Sequence, residues 1–304
     1  MNFTSISFFS LIDCRMKEKI KTGISVLIIL ILLPYVASVF RTGSLSGVEA
    51  EVPEPDLEVF VAEILPTQMP VTYEEEALKA QAVIVRTNLL RQAMSFYEIG
   101  DLNETAEAVQ ERDLETMGFS FYSREEQLEL WGFENQERYA EKCRQAAKDT
   151  AGQILTLEGK LVDLPYHAVS AGWTRNGSVL GEEYSYLESV ECSGDLQSSD
   201  YLKIQIIELE EVPEILARDE AGYVLEIRMG GEIYGGEEFR SIYGLNSSCI
   251  TADQTEGGIR ITTKGLGHGL GMSMYQANLQ ALSGMEYQEI LQYFYPQFTI
   301  PSNV

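Results

Sequence analysis

A chain of 304 residues, 45% hydrophobic and 23% charged, carries enough apolar material to bury a sizeable core in one domain or two closely packed ones, which excludes disorder as its default state. Its 47 Asp and Glu outweigh its 22 Lys and Arg, for a formal net charge of −25 at pH 7. That balance excludes a nucleic-acid partner, because neutralising phosphates takes several cations on one face, whereas an uncharged polysaccharide stays acceptable.

The first element is an apolar run of 17 residues, Ile24 to Phe40, preceded by Lys17, Lys19 and Lys21. It is short for a membrane span and long for the core of a signal peptide, and it reads as an N-terminal membrane-anchor helix. By the positive-inside rule the N-terminus stays cytoplasmic and everything after Arg41 is exported, so the expected location is the cell membrane, single-pass, with the C-terminal domain outside. Val36-Ala37-Ser38 offers a weak cleavage site as the alternative, and Met16 competes with Met1 as the start. Residues 1–45 hold five of the basic and two of the acidic side chains, leaving 17 basic and 45 acidic, a net −28, beyond them. A Gly-, Ser-, Glu- and Pro-containing linker follows over residues 46–56. Of the four cysteines, Cys14 falls on the cytoplasmic side; Cys192 and Cys249 are the candidates for a disulfide, a pairing that spacing alone does not fix.

The exported domain is expected over residues 57–300. To about Ala151 its pattern is helical. Thr72 and Glu75 have the Thr-x-x-Glu spacing of a capping box, and Leu78, Ala82, Val85, Leu89 and Ala93 then mark one buried helical face, with Lys79, Arg86 and Arg91 mostly outside it. Residues 98–117 form a polar, acidic insert. Ser123 and Glu126 repeat the capping-box spacing ahead of Leu128, Trp131 and a helical stretch from Arg138 to Lys148. From Gly152 onward the apolar period changes to two. Ile154, Leu155 and Leu157, the Glu158-Gly159-Lys160 turn and residues 161–169 read as a hairpin, with further strands at Val224–Arg228, Glu232–Tyr234 and Gly258–Thr263. Helices from about Ser273 to Leu282 and Glu286 to Tyr293 close the chain. A mainly helical part over 57–151 and a strand-rich part over 152–300, without βαβ alternation, predict an α+β fold.

Three blocks in this order resemble the stage II sporulation protein D family, which includes amidase-enhancer proteins. They are Met69-Pro70 with Glu76-Ala77-Leu78-Lys79-Ala80-Gln81-Ala82 and Arg86-Thr87; Gly236-Glu237-Glu238-Phe239-Arg240 with Gly244-Leu245-Asn246-Ser247-Ser248; and Lys264-Gly265-Leu266-Gly267-His268-Gly269-Leu270-Gly271-Met272-Ser273 with Tyr275, Ala277 and Asn278. The resemblance covers about Leu57 to Ile300. It implies peptidoglycan glycan strands as the ligand, a cell-wall amidase or another wall-remodelling protein as partner, and no cofactor. Some relatives bind zinc through Cys and His in the segment matching about Asp113 to Tyr122; that segment has neither here, and a structural zinc needs about four N or S ligands, so no metal is expected. A different site made of His167, His268 and Cys192 is a remote option.

Cleaving a glycosidic bond requires a proton for the leaving oxygen. In the resembling family a Glu immediately before Met-Pro gives it, in a lytic transglycosylase that lets the sugar's own hydroxyl close an anhydro ring. Gln68 stands at that position. A carboxamide delivers no proton, so an acid contribution of roughly 10²–10⁴-fold is expected to be lost. Gln68 is then either a ligand contact or a neutral helix-entry residue. Glu63 points elsewhere on a helix, and Glu74 and Glu75 are accounted for by the helix start. Glu76 matches a family position and, as an anion favoured near a helix N-terminus, suits a base. His268, between Gly267 and Gly269, has the backbone freedom for close approach to a ligand, or is fixed by hydrogen bonds in a tight turn. The catalytic candidates are therefore Gln68, Glu76 and His268. Substrate-binding candidates are Ser170 and Thr174, in a Ser-x-Gly-x-Thr segment after His167, with Arg240, Lys264, Ser273 and Tyr275. Trp173, Tyr293 and Tyr295 are either groove walls or core. Arg175 stands where many relatives have Glu, Met274 where Gln is usual and Gln276 where Gly is. Two functions follow: a lytic transglycosylase or degenerate relative of one, and a catalytically silent glycan-binding scaffold or amidase enhancer.

Overall fold

The computed structural model describes residues 56–300. The anchor segment at 24–40, Cys14 and the linker up to Pro55 lie outside them, and among the described residues no helix is long and apolar enough to cross a membrane. Helices come first: α1 (Leu57–Gln68), α2 (Glu75–Tyr97), α3 (Leu102–Ala108), α4 (Glu111–Leu114), α5 (Arg124–Trp131) and α6 (Gln136–Asp149). Then follow β1 (Tyr166–His167), β2 (Leu202–Ile207), β3 (Glu214–Arg218), β4 (Val224–Met229), β5 (Glu232–Gly235), α7 (Gly236–Tyr243), β6 (Ile250–Thr255), β7 (Gly258–Lys264), β8 (Met272–Ser273), α8 (Met274–Leu282) and α9 (Tyr287–Phe294). The fold is α+β, with a helical N-terminal half and a strand-rich C-terminal half closed by two helices.

The second helix is the hub, packing against α1, α3, α6, α8 and α9. Thirteen of its residues between Ala77 and Ala93 are buried, so it is enclosed nearly all round instead of on the one face expected. Arg86 is wholly buried and survives there because every guanidinium nitrogen has a partner. Its guanidinium pairs with both Glu58 carboxylate oxygens and donates to the Gln153 carbonyl at 3.0 Å, the Ala147 carbonyl at 3.0 Å and Thr150 Oγ1 at 3.3 Å. The Thr72 capping box does not form. Residues 70–73 make a turn closed by the Tyr73 N–H on the Pro70 carbonyl at 3.0 Å, α2 starts later, and the Glu74 N–H is satisfied by Asn278 Oδ1 at 2.8 Å. The box at Ser123 and Glu126 is present in both directions.

Two three-stranded antiparallel sheets, β2-β7-β6 and β3-β4-β5, enclose a small core of Val224, Ile227, Phe239, Leu245, Ile250, Ile259 and Ile261. A larger core fills the helical half and extends over Ile154 to Cys192 and Leu270 to Phe298. The hairpin expected at 154–169 is absent. Its turn exists, with Leu157 and Lys160 exchanging both backbone hydrogen bonds at 2.9 Å, but Thr156 pairs with Thr299 and Tyr166–His167 runs parallel to Met272–Ser273. That parallel pairing sets the site, since it brings the segment after α1's neighbours beside the C-terminal Gly-rich block. Cys192 and Cys249 are both buried free thiols, so the expected disulfide is not made.

Candidate functional site

The site is built around the last residue of α1. Gln68 is half-buried; its Nε2 donates to Thr67 Oγ1 at 2.7 Å and its Oε1 accepts from the Tyr166 hydroxyl. Thr67 is itself tied to the Ile64 carbonyl at 2.8 Å and the Ser120 carbonyl at 3.0 Å, so the amide is held from both ends. Burial, helped by Asp163, pushes the Tyr166 hydroxyl up to about 12, which keeps it a donor.

Beyond Tyr166, two imidazoles grip one peptide. The His167 Nδ1–H donates to the Leu270 carbonyl at 3.0 Å, and His268 Nδ1 accepts from the Leu270 N–H at 3.0 Å. These contacts fix opposite tautomers: the proton is on Nδ1 of His167 and on Nε2 of His268. The rings lie 5.8 Å apart, and His167 Nε2 is buried with no protein partner. Burial, then the neighbouring His268, drives His167 down to about 3; burial also lowers His268, with Glu237 opposing. Glycine is required on both sides of His268. At Gly267, φ is +115° and a Cβ would come within 2.7 Å of the His167 Cβ; at Gly269, φ is +79° and a Cβ would meet the Tyr223 ring at 2.4 Å.

Since unfolded His takes up a proton near its ordinary 6.5 and folded His167 refuses one until about 3, stability is full above 6.5 and is lost as pH falls through that window. His268 acts in the same direction, while Asp195 and Glu63, both raised by burial, act against it. The thermal midpoint should therefore fall on acidification from about pH 6.5 to 5.5, by roughly 1 kcal/mol of stability. His167→Asn keeps an N–H for Leu270 and should flatten that slope; an unchanged slope would remove His167 from the explanation.

The structure also sorts the other candidates. Ser170, Thr174 and Ser273 are wholly buried and turned inward, away from any ligand. The Ser170 N–H and the Ser273 hydroxyl both donate to Asp195, at 2.7 Å and 2.8 Å, and Thr174 Oγ1 accepts from the Val190 N–H at 2.9 Å. They shape the loop and the start of α8. Glu76 is spoken for: one oxygen pairs with Lys79 at 2.8 Å and the other caps α9 through the Tyr287 N–H at 2.9 Å. Tyr295 is core, its hydroxyl on the Pro165 carbonyl at 2.6 Å, and Tyr293 bonds the Glu191 carbonyl, whereas Trp173 stays 48% exposed. Tyr275 is half-buried with its N–H on the Ala168 carbonyl, and Lys264 is exposed. Cys192 joins no metal cluster: among the described residues no three His, Cys, Asp or Glu converge on one.

Arg175 is the organising residue that its sequence position concealed. Its side chain is 4% exposed, lies 5.0 Å over the Tyr223 ring, and donates to Asp219 at 2.6 Å, Glu237 at 3.0 Å and the His268 carbonyl at 3.2 Å. Glu237 also accepts from Ser248 at 2.6 Å and Arg240 at 2.9 Å. Arg240 thus supports the carboxylate behind His268. Tyr166, Asp195 and Asp219 were missed for the same reason: each acts across more than 20 residues of sequence, and no local pattern marks it.

Known proteins resemble this chain over most of its length. Residues 46–157 match the family model described as stage II sporulation protein, SpoIID. The stage II sporulation protein D of Bacillus amyloliquefaciens is 30% identical over 86% of this chain and 77% of its own length. That of Bacillus subtilis is 29% identical over 86% of this chain and 78% of its own. An amidase enhancer of Bacillus subtilis is 37% identical over 68 residues, 21% of this chain.

Proposed function

The chain belongs to the stage II sporulation protein D family, and from that premise we propose that it binds peptidoglycan glycan strands outside the cytoplasmic membrane as a degenerate lytic transglycosylase. The observation that carries this reading is Gln68, held by Tyr166 and Thr67 where the family's acid stands. Around it the Leu270 peptide, its two imidazoles and the Arg175 network keep the site ordered. What is missing is the proton. Two carboxylates of the surrounding network are engaged, Glu237 by two guanidiniums and Asp195 by two seryl groups. The test is to pellet the full-length chain with peptidoglycan sacculi and to analyse the supernatant by mass for anhydro-sugar ends. Binding with little release is expected, and robust release that survives Gln68→Ala would overturn the reading.

A second reading is favoured by the 68-residue match to an amidase enhancer: the bound chain stimulates a wall amidase and needs no chemistry of its own. Stimulation undiminished by Gln68→Ala would distinguish it.

Residues 24–40 act in this proposal as the anchor, with residues 57–300 as the exported domain. A reporter fused after Val304 should be active only outside the cytoplasm, because Lys17, Lys19 and Lys21 precede the apolar run. Cytoplasmic reporter activity would reverse the topology.

A further inference from the structure

Two hollows meet beside the turn that follows Gln68. One, of about 570 Å³, lies between the start of α2 and α6; the other, of about 400 Å³, lies between the Pro70 turn and α5. They share Thr72 and Tyr139 in their walls, so they lie side by side, and together they are termed the groove. Its far wall is aromatic. Trp131 packs edge-to-face with Tyr122 at 6.2 Å and with Tyr139 at 5.8 Å, so each ring is braced by another. The segment bearing Tyr122 is pinned to the end of α1 by the Thr67 hydroxyl on the Ser120 carbonyl. The groove therefore adjoins the position occupied by Gln68. Leu130, which lines the second hollow, is 58% exposed.

Charge in the groove is balanced. Lys79 is neutralised by Glu76 and Asp149, Lys142 donates to the Val71 and Tyr73 carbonyls, and Arg138 lies over Tyr139 while donating to Asn135 at 2.9 Å. Lys142 and Arg138 have no carboxylate partner of their own, but the lining sets three acidic groups, Glu75, Glu141 and Asp149, against the three basic ones, so it carries no net charge to select an anion. Nor is there a free strand edge for an extended peptide, since the walls are helices. Aromatic walls with a fringe of amide, guanidinium and carboxylate groups suit an uncharged polyhydroxylated chain. We propose that this groove is a second carbohydrate site, taking N-acetylated sugar units of a strand beyond those at Gln68. The proposal rests on the glycan-binding reading above.

The chain has two tryptophans, so Trp173→Phe leaves Trp131 as the sole indole reporter in the full-length protein. Chitohexaose should shift its emission saturably. Tyr139→Ala and Arg138→Ala should weaken that binding by roughly tenfold. Arg138 is exposed, so its removal does not threaten the fold. Pelleting with denuded glycan strands gives a second readout, which Tyr139→Ala should also reduce. A response to free stem peptide in place of chitohexaose would overturn the proposal. So would unchanged pelleting of Tyr139→Ala with no indole response; that outcome would sink the groove alone, whereas loss of all sacculus binding by the wild type would sink the glycan reading with it.

Discussion

Gln68→Glu should raise anhydro-muropeptide release by at least roughly tenfold, against a ceiling of roughly 10²–10⁴ for general acid catalysis. The surroundings of residue 68 favour the gain. They offer one donor, the Tyr166 hydroxyl, and one acceptor, Thr67 Oγ1, whose own proton is committed to backbone carbonyls. A neutral carboxylic acid has that same pair of functions, a carbonyl to accept and an O–H to give, so a Glu here is held in the protonated form a leaving group requires. Met274 and Gln276, which depart from the family pattern, are expected to hold back part of the gain. The measurement compares wild type, Gln68→Glu and Gln68→Ala on denuded glycan and on intact peptidoglycan. Equal release by all three would remove position 68 from the chemistry.

Arg175→Ala should cost about 3–5 kcal/mol of stability, because it strands the Asp219 carboxylate, 5% exposed, without its guanidinium. The Glu237 arm adds little, being 38% exposed and still paired with Arg240. At about 2–4 °C per kcal/mol, the thermal midpoint should drop on the order of 10 °C. Arg175→Lys should fall between, keeping the charge and losing the fork that also reaches the His268 carbonyl. A change under about 1 kcal/mol for Arg175→Ala would mean that water already serves Asp219. It follows that a carboxylate cannot be restored at 175 as it can at 68. Arg175→Glu would set three acids together with only Arg240 to offset them, and should unfold the loop before any chemistry could be measured.

The sequence made the long helices of the N-terminal half and the closing helices legible because their apolar periods are long, with an end marked at Ser123 and Glu126, whereas the stretch read as a polar insert holds the short α3 and α4. Val224–Met229 and Gly258–Lys264 were readable as strands for the same reason, each with one buried face. β2 was not. Its Leu202, Ile204 and Ile206 alternate as in a half-buried strand, but in the fold they are the exposed side, at 49–62%, so the alternation marks the wrong face. The site was legible as a set of segments, Gln68, the His167 region and the Gly-rich block, and not as an arrangement. Which serines face a ligand and which face Asp195 depends on the parallel pairing of Tyr166–His167 with Met272–Ser273, a contact made across about a hundred residues. Arg86 misled for a related reason: a helical wheel places a charge outside, and only Glu58 and three backbone segments explain it inside.

The three sealed thiols turn the domain into its own map of local opening. Cys143 sits against α1 and α2 in the helical core, Cys192 beside Asp195, and Cys249 at the entry to β6. Burial raises each thiol above its ordinary value, which disfavours the reactive thiolate while the fold is closed. With Cys14 replaced, the rate at which an alkylating reagent reaches each sulfur under native conditions would time a different opening event. A loop that breathes alone would expose Cys192 first, and a cooperative domain would release all three together.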